Sequence, residues 1–98
     1  MSTTNESILF LNEPHITNTS IEESRKGLVK TVIIMKGVTT IGVGAFEGWN
    51  QLTTVIIMKG VTTIGERAFK GCDQLTTVII PGSVTTIGES AFEDCVRL

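Results

Sequence analysis

Few side chains in this sequence have the chemistry that catalysis needs. The 98 residues include one histidine, His15, two cysteines, Cys72 and Cys95, one tryptophan and no tyrosine. His15 follows Pro14 in an expected turn and has no acidic, serine or cysteine partner at a catalytic spacing. A zinc site needs about four ligands and the cysteines supply two, while the glycine-containing stretches match neither phosphate-binding motif. We therefore expect no catalytic residue, no metal and no cofactor.

The two cysteines occupy the same position of a repeated sequence, 23 residues apart. Neighbouring repeats direct equivalent side chains the same way, which is poor geometry for a disulfide. We interpret both cysteines as small core residues. Trp49 stands at this position one repeat earlier, and we expect its larger ring to cover residues 20–29. Stacking on a ligand is the alternative role for Trp49.

Composition excludes several classes of protein. Eight basic and ten acidic residues give a net charge of −2, without the basic stripe of a nucleic-acid binder. The 41% hydrophobic content is too high for a disordered chain. The apolar runs are far shorter than the roughly 18 residues that cross a bilayer, and the N-terminus lacks the features of a signal peptide. A single small domain is expected, with its compartment unspecified.

A 23-residue repeat dominates the sequence. Residues 31–53, 54–76 and 77–98 are three copies, and the first two copies differ at five positions. A fixed period of this size predicts a solenoid in which each unit stacks on the next. Apolar residues would then form internal columns, which begin at Val32, Ile34, Val38, Ile41, Ala45, Phe46 and Leu52.

Each copy predicts a short parallel strand, at residues 54–58 and their equivalents, because its apolar residues alternate with period two. A glycine follows in each copy, and the next Ala-Phe pair suits a short helical or 3₁₀ turn on the opposite, convex side. Adjacent threonines recur at residues 39–40, 62–63 and 85–86. We expect the two threonines of a pair to face opposite ways, which argues against an ice-binding or polysaccharide-binding array.

Residues 1–30 form either an irregular N-terminal segment or a degenerate repeat. Leu9 and Leu11 precede Val32 and Ile34 by 23 positions, so the second interpretation predicts a strand over Ile8–Leu11. A capping-box pattern over residues 20–23 then predicts a helix over residues 21–26. The alternative is a disordered tail that ends near residue 29.

From Leu75 onward the third copy reads LTTVIIPGSVTTIGESAFEDCVRL. This segment resembles the BspA-like leucine-rich repeat, L-x-x-V-x-I-P-x-S-V-x-x-I-G-x-x-A-F-x-x-C, and the resemblance extends over residues 31–98. The first two copies depart from it at residues 35–37 and 58–60, where Met-Lys-Gly replaces Pro-x-Ser. The resemblance implies an α/β fold: a short, right-handed leucine-rich-repeat solenoid with a parallel β-sheet on one face and short helical or 3₁₀ turns on the convex face.

The resemblance also implies a non-enzymatic module for protein interaction or adhesion, with the cell surface as its setting. We expect a protein partner, rather than nucleic acid or a membrane, on the outward rows of the sheet. Rows of exposed isoleucine are unusual on a soluble monomer, although isoleucine also simply suits a strand. The candidate partner-binding residues are Thr31, Ile33, Met35, Thr54, Ile56, Met58, Thr77 and Ile79.

The last repeat ends at Leu98 without a polar capping segment. An uncapped solenoid end exposes core columns and strand edges. Two interpretations follow: the chain is a fragment of a longer repeat array, or its open end stacks on another copy. The alternative function is therefore that of a self-assembling structural unit.

Overall fold

Two parallel sheets wind around one core in the computed structural model, which describes residues 6–98. The first sheet contains β1 (Ile8–Leu11), β3 (Thr31–Ile34), β5 (Thr54–Ile57) and β7 (Thr77–Ile79). The second sheet contains β2 (His15–Ile16), β4 (Thr40–Ile41), β6 (Thr63–Ile64) and β8 (Thr86–Ile87). The chain is thus a parallel-strand β-solenoid of about three turns. We call one pair of successive strands a rung.

The register of the first sheet repeats the sequence period. Each residue pairs with the residue 23 positions later, as Ile33 does with Ile56. Leu9 pairs with Val32 in the same way, and the strand expected over Ile8–Leu11 is confirmed. The division of the chain into residues 1–30 and three repeats stays a prediction, and residues 1–5 lie outside the described part.

The connections before and after β2 differ in length from the equivalent connections of the later repeats. His15 pairs with Thr40, which lies 25 positions later rather than 23. The connection from β1 to β2 is therefore two residues shorter than its equivalents, and the return to β3 is two residues longer. The two changes cancel, so β3 enters the first sheet in register.

The second sheet was not predicted from the sequence. The second threonine of each pair begins one of its strands, and the first threonine directly precedes that strand. The expectation that the two threonines face opposite ways was wrong, because neither Thr39 nor Thr40 is buried. The buried neighbours are Val38 and Ile41. The chain turns a corner after Val38, so strand alternation begins only at Thr40 and both hydroxyls stay at the surface. Thr39 Oγ1 donates a hydrogen bond to the carbonyl of Pro14 at 3.0 Å.

The third side of the solenoid, which we call the turn face, comprises residues 42–51, 65–74 and 88–97. The helical part of the predicted α/β class is not confirmed here. The N–H of Ala45 donates to Gly42, three positions earlier, whereas the next N–H, that of Phe46, donates to Ala68 of the following repeat. An α-helix keeps all these bonds within its own segment. Since alternate N–H groups bond across repeats, the turn face is a ladder of turns.

The helix expected over residues 21–26 was also wrong. Within residues 6–98 the structure has a single helix, the 3₁₀ segment Glu23–Arg25. Ser20 does not cap it, because the Ser20 hydroxyl accepts the N–H of Thr17 at 2.9 Å. This short segment lies within the longer return of the first rung, between β2 and β3.

The core consists of stacked columns of like residues. Phe46 and Phe69 are fully buried, and their rings lie parallel with centroids 5.2 Å apart. Phe92 continues the stack 5.3 Å beyond Phe69. Glycine at position 65 allows the backbones to approach closely, because a Cβ there would lie 2.7 Å from the carbonyl carbon of Gly42. Both the stacking of the phenylalanine rings and the close approach of the glycine backbones join residues 23 positions apart, so both depend on this period.

Removing the central ring tests the column. Phe69→Ala is expected to lower the free energy of unfolding by about 3–5 kcal/mol, because it removes a buried aromatic ring and leaves a cavity. Urea denaturation followed by circular dichroism measures the change. Phe92→Ala is the matched control and should cost less, since Phe92 is only half-buried and stacks on one side. A loss below about 1 kcal/mol for Phe69→Ala would contradict a close-packed column.

Candidate binding surface

The outward face of the first sheet carries a continuous apolar row. Phe10 pairs with Ile33, Ile33 with Ile56 and Ile56 with Ile79. Their buried neighbours, such as Val32 and Ile34, point into the core, so the row points outward. With strands about 4.8 Å apart, the row is about 14 Å long. The end residues Phe10 and Ile79 are 61% and 53% exposed, whereas the central pair is half-buried by its neighbours.

Two further rows flank this apolar row. The eight residues predicted from the sequence all lie in these three rows: Thr31, Ile33, Met35, Thr54, Ile56, Met58, Thr77 and Ile79. The threonines form one flank, and the two methionines follow the strand ends on the other. The structure therefore brings these side chains together on one face. Their role in binding a partner stays a prediction.

Phe10 belongs to the same face, although it is not among the eight residues predicted from the sequence. It lies 23 positions before Ile33, between Leu9 and Leu11. The same offset assigned those leucines to the repeat, so the signal was present in the sequence. The chain alternates along β1, and Phe10 is the outward residue between Leu9, which packs against the core, and buried Leu11.

Charged side chains are distributed unevenly between the sheets and the turn face. Residues 29–41, 52–64 and 75–87, which carry the sheets of the three repeats, contain three lysines and no other charged residue. These lysines are Lys30, Lys36 and Lys59, all exposed. On the turn face, by contrast, Lys70 donates to Glu93 at 3.1 Å. This hydrogen bond lowers the pKa of Glu93 and raises that of Lys70.

The cysteines lie on the turn face, away from this surface. The Cys72 thiol is buried and donates to the carbonyl oxygen of Phe46 at 3.2 Å. The half-buried Cys95 thiol donates to Phe69 at 3.1 Å. Burial raises the pKa of Cys72 to about 12 and also raises that of Cys95. Both thiols are free, and each fills a core position while bonding to the preceding repeat.

Trp49 takes the position of these cysteines in the first repeat. Its backbone N–H donates to Phe46 just as that of Cys72 donates to Phe69, so the larger ring needs no different backbone. The indole packs edge-on against Phe46, with centroids 4.9 Å apart. It borders a cleft of about 450 Å³ beside Asn18 and Lys26. Because Trp49 is only 5% exposed, neither ring face is free to stack on a ligand.

His15 is exposed at the end of the second sheet, opposite Thr40. The structure does not bring it together with Cys72 and Cys95. In the described part of the chain, no group of three or more histidine, cysteine, aspartate or glutamate residues is arranged to hold a metal ion. Within residues 6–98 there is also no helix long and apolar enough to span a membrane. The outward face of the first sheet is therefore the candidate functional surface.

A protein-family comparison agrees with the repeat. The family described as BspA type leucine-rich repeat region (6 copies) matches residues 19–98. The match extends beyond the three regular repeats and includes the turn that precedes β3. A search of curated proteins found no match.

Three solved structures share the fold. A leucine-rich repeat protein of T. pallidum is 32% identical, with a TM-score of 0.68 over 74% of this chain. A leucine-rich cell surface protein of Faecalibacterium prausnitzii A2-165 is 28% identical, with a TM-score of 0.77 over 98% of this chain. A leucine-rich repeat protein of Eubacterium ventriosum is 19% identical, covers 93% of this chain and has a TM-score of 0.56, which shows the fold alone. The chain spans 36%, 29% and 32% of their respective lengths.

The buried thiol predicts low reactivity in the folded protein. Cys72 is expected to resist a thiol-specific chromogenic disulfide reagent at pH 8, because a pKa of about 12 leaves little thiolate. Cys95→Ala isolates Cys72, and Cys72→Ala isolates the more exposed Cys95, which should react first. Absorbance measures both rates, with the unfolded protein as reference. Equal rates for folded and unfolded Cys72 would contradict its burial.

The same pKa shift predicts how stability depends on pH. An unfolded thiol titrates near 8.5, so between about pH 9 and 12 the unfolded chain loses the Cys72 proton while the folded chain retains it. The contribution of this group is therefore fully present below about pH 8 and is lost as the pH rises. Urea denaturation at several alkaline pH values should show a steeper loss for the native chain than for Cys72→Ala.

Proposed function

Because this chain belongs to the BspA-type leucine-rich repeat family, we propose that it is a non-enzymatic module that binds a protein partner through the outward face of its first sheet. Leucine-rich repeats of this kind are typical of protein-interaction or surface modules. The single observation that carries the proposal is the apolar row formed by Phe10, Ile33, Ile56 and Ile79. An exposed apolar row beside polar side chains is typical of an interaction surface.

The scaffold behind the row supports this role. In the two central strands the residues that alternate with it are buried: Val32, Ile34 and Val55 are fully buried, and Ile57 is 2% exposed. The hydrogen-bonded strands hold the outward side chains at fixed spacing, so a partner need not order them. Association therefore costs less conformational entropy than it would for flexible loops. The threonine row provides hydroxyl groups on one side of the apolar row. The methionine row on the other side provides flexible side chains that can adapt to a partner's surface.

Adhesion at a cell surface is the specific setting that we propose for this binding. The F. prausnitzii structure is described as a leucine-rich cell surface protein. This chain spans less than two fifths of the length of each solved relative. In a protein as long as those relatives, the face described here would form only part of the binding surface.

A charge placed in the centre of the row tests the proposal. Ile56→Glu is expected to weaken by about tenfold or more the binding of peptides selected against the native chain, because central interface residues dominate affinity. The peptides come from a displayed library of random sequences, and fluorescence anisotropy measures their affinity. Val43→Glu is the matched control: Val43 is 58% exposed on the turn face, where the next two repeats carry Glu66 and Glu89.

Circular dichroism separates binding from folding in this experiment. Both variants should keep the spectrum of the native chain, because neither position is buried. Equal binding by Ile56→Glu and Val43→Glu would place the partner elsewhere on the molecule. Loss of the folded spectrum in Ile56→Glu alone would show that this side of the sheet faces the core.

The exposed core positions of the third repeat favour a second candidate function, self-assembly. Ile87 and Leu98 are 50% and 54% exposed, whereas their equivalents Ile64 and Leu75 are fully buried by the repeat that follows them. The outer edges of β7 and β8 are also unpaired in the described sheets. We propose that a further repeat stacks here, whether from a second copy or from more of the same polypeptide. A head-to-tail contact between copies would build filaments.

Light scattering coupled to size exclusion tests self-assembly. If copies stack, the mass should rise above 10.6 kDa as the concentration increases, because association follows mass action. Ile87→Glu should then hold the mass constant, since it places a charge on the stacking end. Val43→Glu again serves as the control and should leave the association unchanged. A constant mass near that of one chain at all concentrations would exclude stacking of copies.

A further inference from the structure

We propose that the partner of the first sheet is an acidic protein segment with apolar anchors, whose carboxylates lie opposite Lys36 and Lys59. This inference rests on the proposed function, because it names the chemistry of the partner for the same face. The apolar row would take the anchors. The two lysines would take the acidic residues.

The first support is the separation of charge between the sides of the solenoid. The sheet-bearing parts of the three repeats, residues 29–41, 52–64 and 75–87, carry three positive charges and no negative one, whereas the whole chain has a net charge of −2. Acidic residues of the repeats are confined to the turn face: Glu47, Glu66, Asp73, Glu89, Glu93 and Asp94. Glu6 and Glu13 flank β1 of the first rung, so the excess of positive charge belongs to β3, β5 and β7 of the three repeats. The potential over these strands is more positive than the net charge suggests, and it favours the approach of an acidic partner.

The second support is the position of the two lysines. Lys36 and Lys59 follow Met35 and Met58 in equivalent turns of adjacent rungs, so they border the row of methionines beside the apolar row. Both are exposed. Adjacent rungs lie about 4.8 Å apart, and like charges at that spacing repel. A carboxylate placed opposite the pair would relieve this repulsion.

The third support is the lack of a compensating charge for this pair. In residues 6–98 neither Lys36 nor Lys59 forms an ion pair. Glu13 lies 23 positions before Lys36, in the shorter turn of the first rung, but forms no ion pair with it, while Gly82 occupies the position 23 after Lys59. The turn face is different, because Glu47, Lys70 and Glu93 alternate in sign at one set of equivalent positions and Lys70 pairs with Glu93. The lysines beside the first sheet thus remain available to a partner.

These features fit an acidic protein segment better than an anionic membrane. Membrane-surface recognition by charge uses clusters of about four to eight basic residues, and this face has three. Its apolar row consists mainly of isoleucines on a β-sheet, whereas interfacial helices insert long apolar faces into lipid. The threonine flank offers hydroxyls that suit the backbone and side chains of a protein.

Sequencing the peptides selected on the native chain tests the proposal. Those that depend on Ile56 should be enriched in aspartate and glutamate as well as in apolar residues. The double variant Lys36→Glu/Lys59→Glu should weaken their binding by about tenfold at low salt, and added salt should weaken binding to the native chain. Lys26→Glu/Arg97→Glu is the matched control: it changes the net charge equally, at Arg97 on the turn face and at Lys26 in the return from β2 to β3, and should have little effect.

The outcomes distinguish this inference from the proposed function. Peptides that depend on Ile56 but show no acidic enrichment and tolerate the lysine double variant would overturn the partner chemistry and leave the binding face intact. Peptides that tolerate Ile56→Glu would overturn both. An equal loss in the two double variants would show that net charge, rather than these lysines, governs binding. Flotation of the native chain with phosphatidylserine-containing vesicles, but not with neutral vesicles, would favour a lipid surface and overturn the protein segment.

Discussion

Stacking of equivalent residues at the spacing of a parallel ladder is the constraint on which the rest of this structure depends. Each residue of β3 pairs with the residue 23 positions later in β5. Side chains at equivalent positions of the repeats therefore lie next to one another in this sheet. Residue types that tolerate such contact recur, as the parallel rings of Phe46 and Phe69 show. Where two backbones approach most closely the residue is glycine, because a Cβ at Gly65 would collide with Gly42. The period is thus enforced by packing at many positions at once.

The same constraint explains why the turn face is not helical. A helix would satisfy its N–H groups internally, but stacking leaves each turn beside an identical one whose carbonyls face it. Phe46 donates to Ala68 across the repeat, while Ala45 closes a local turn. Bonds between repeats therefore replace half of those that a helix would make. They also join neighbouring rungs on the side opposite the first sheet, where the Cys72 thiol adds a further contact to the carbonyl of Phe46.

The proposed binding surface is a part of the molecule that does not take part in stacking. Once the inward residues are committed to the core, the outward residues of the first sheet form rows whose spacing the ladder sets. The apolar row and the unpaired lysines beside it lie on the same side of the molecule, and the acidic residues of the repeats lie on the turn face. The resulting face is partly apolar, and across the three repeats its only charged residues are lysines. These properties are the ones on which the proposed binding role rests.

The sequence by itself determined the solenoid and its period, because both follow from a fixed offset, and the same offset predicted the strand over Ile8–Leu11. The outward placement of the eight candidate residues came from the family resemblance, because apolar residues occupy both rows of each strand and alternation alone does not say which row faces the core. The same offset would also have assigned Phe10 to the outward row, because it lies 23 positions before Ile33. Only the tertiary structure decided the second sheet, the surface position of both threonines in each pair and the ladder on the turn face. These depend on where the chain turns a corner and on hydrogen bonds between repeats. Such bonds join residues 22 or more positions apart, so no local pattern in the sequence records them.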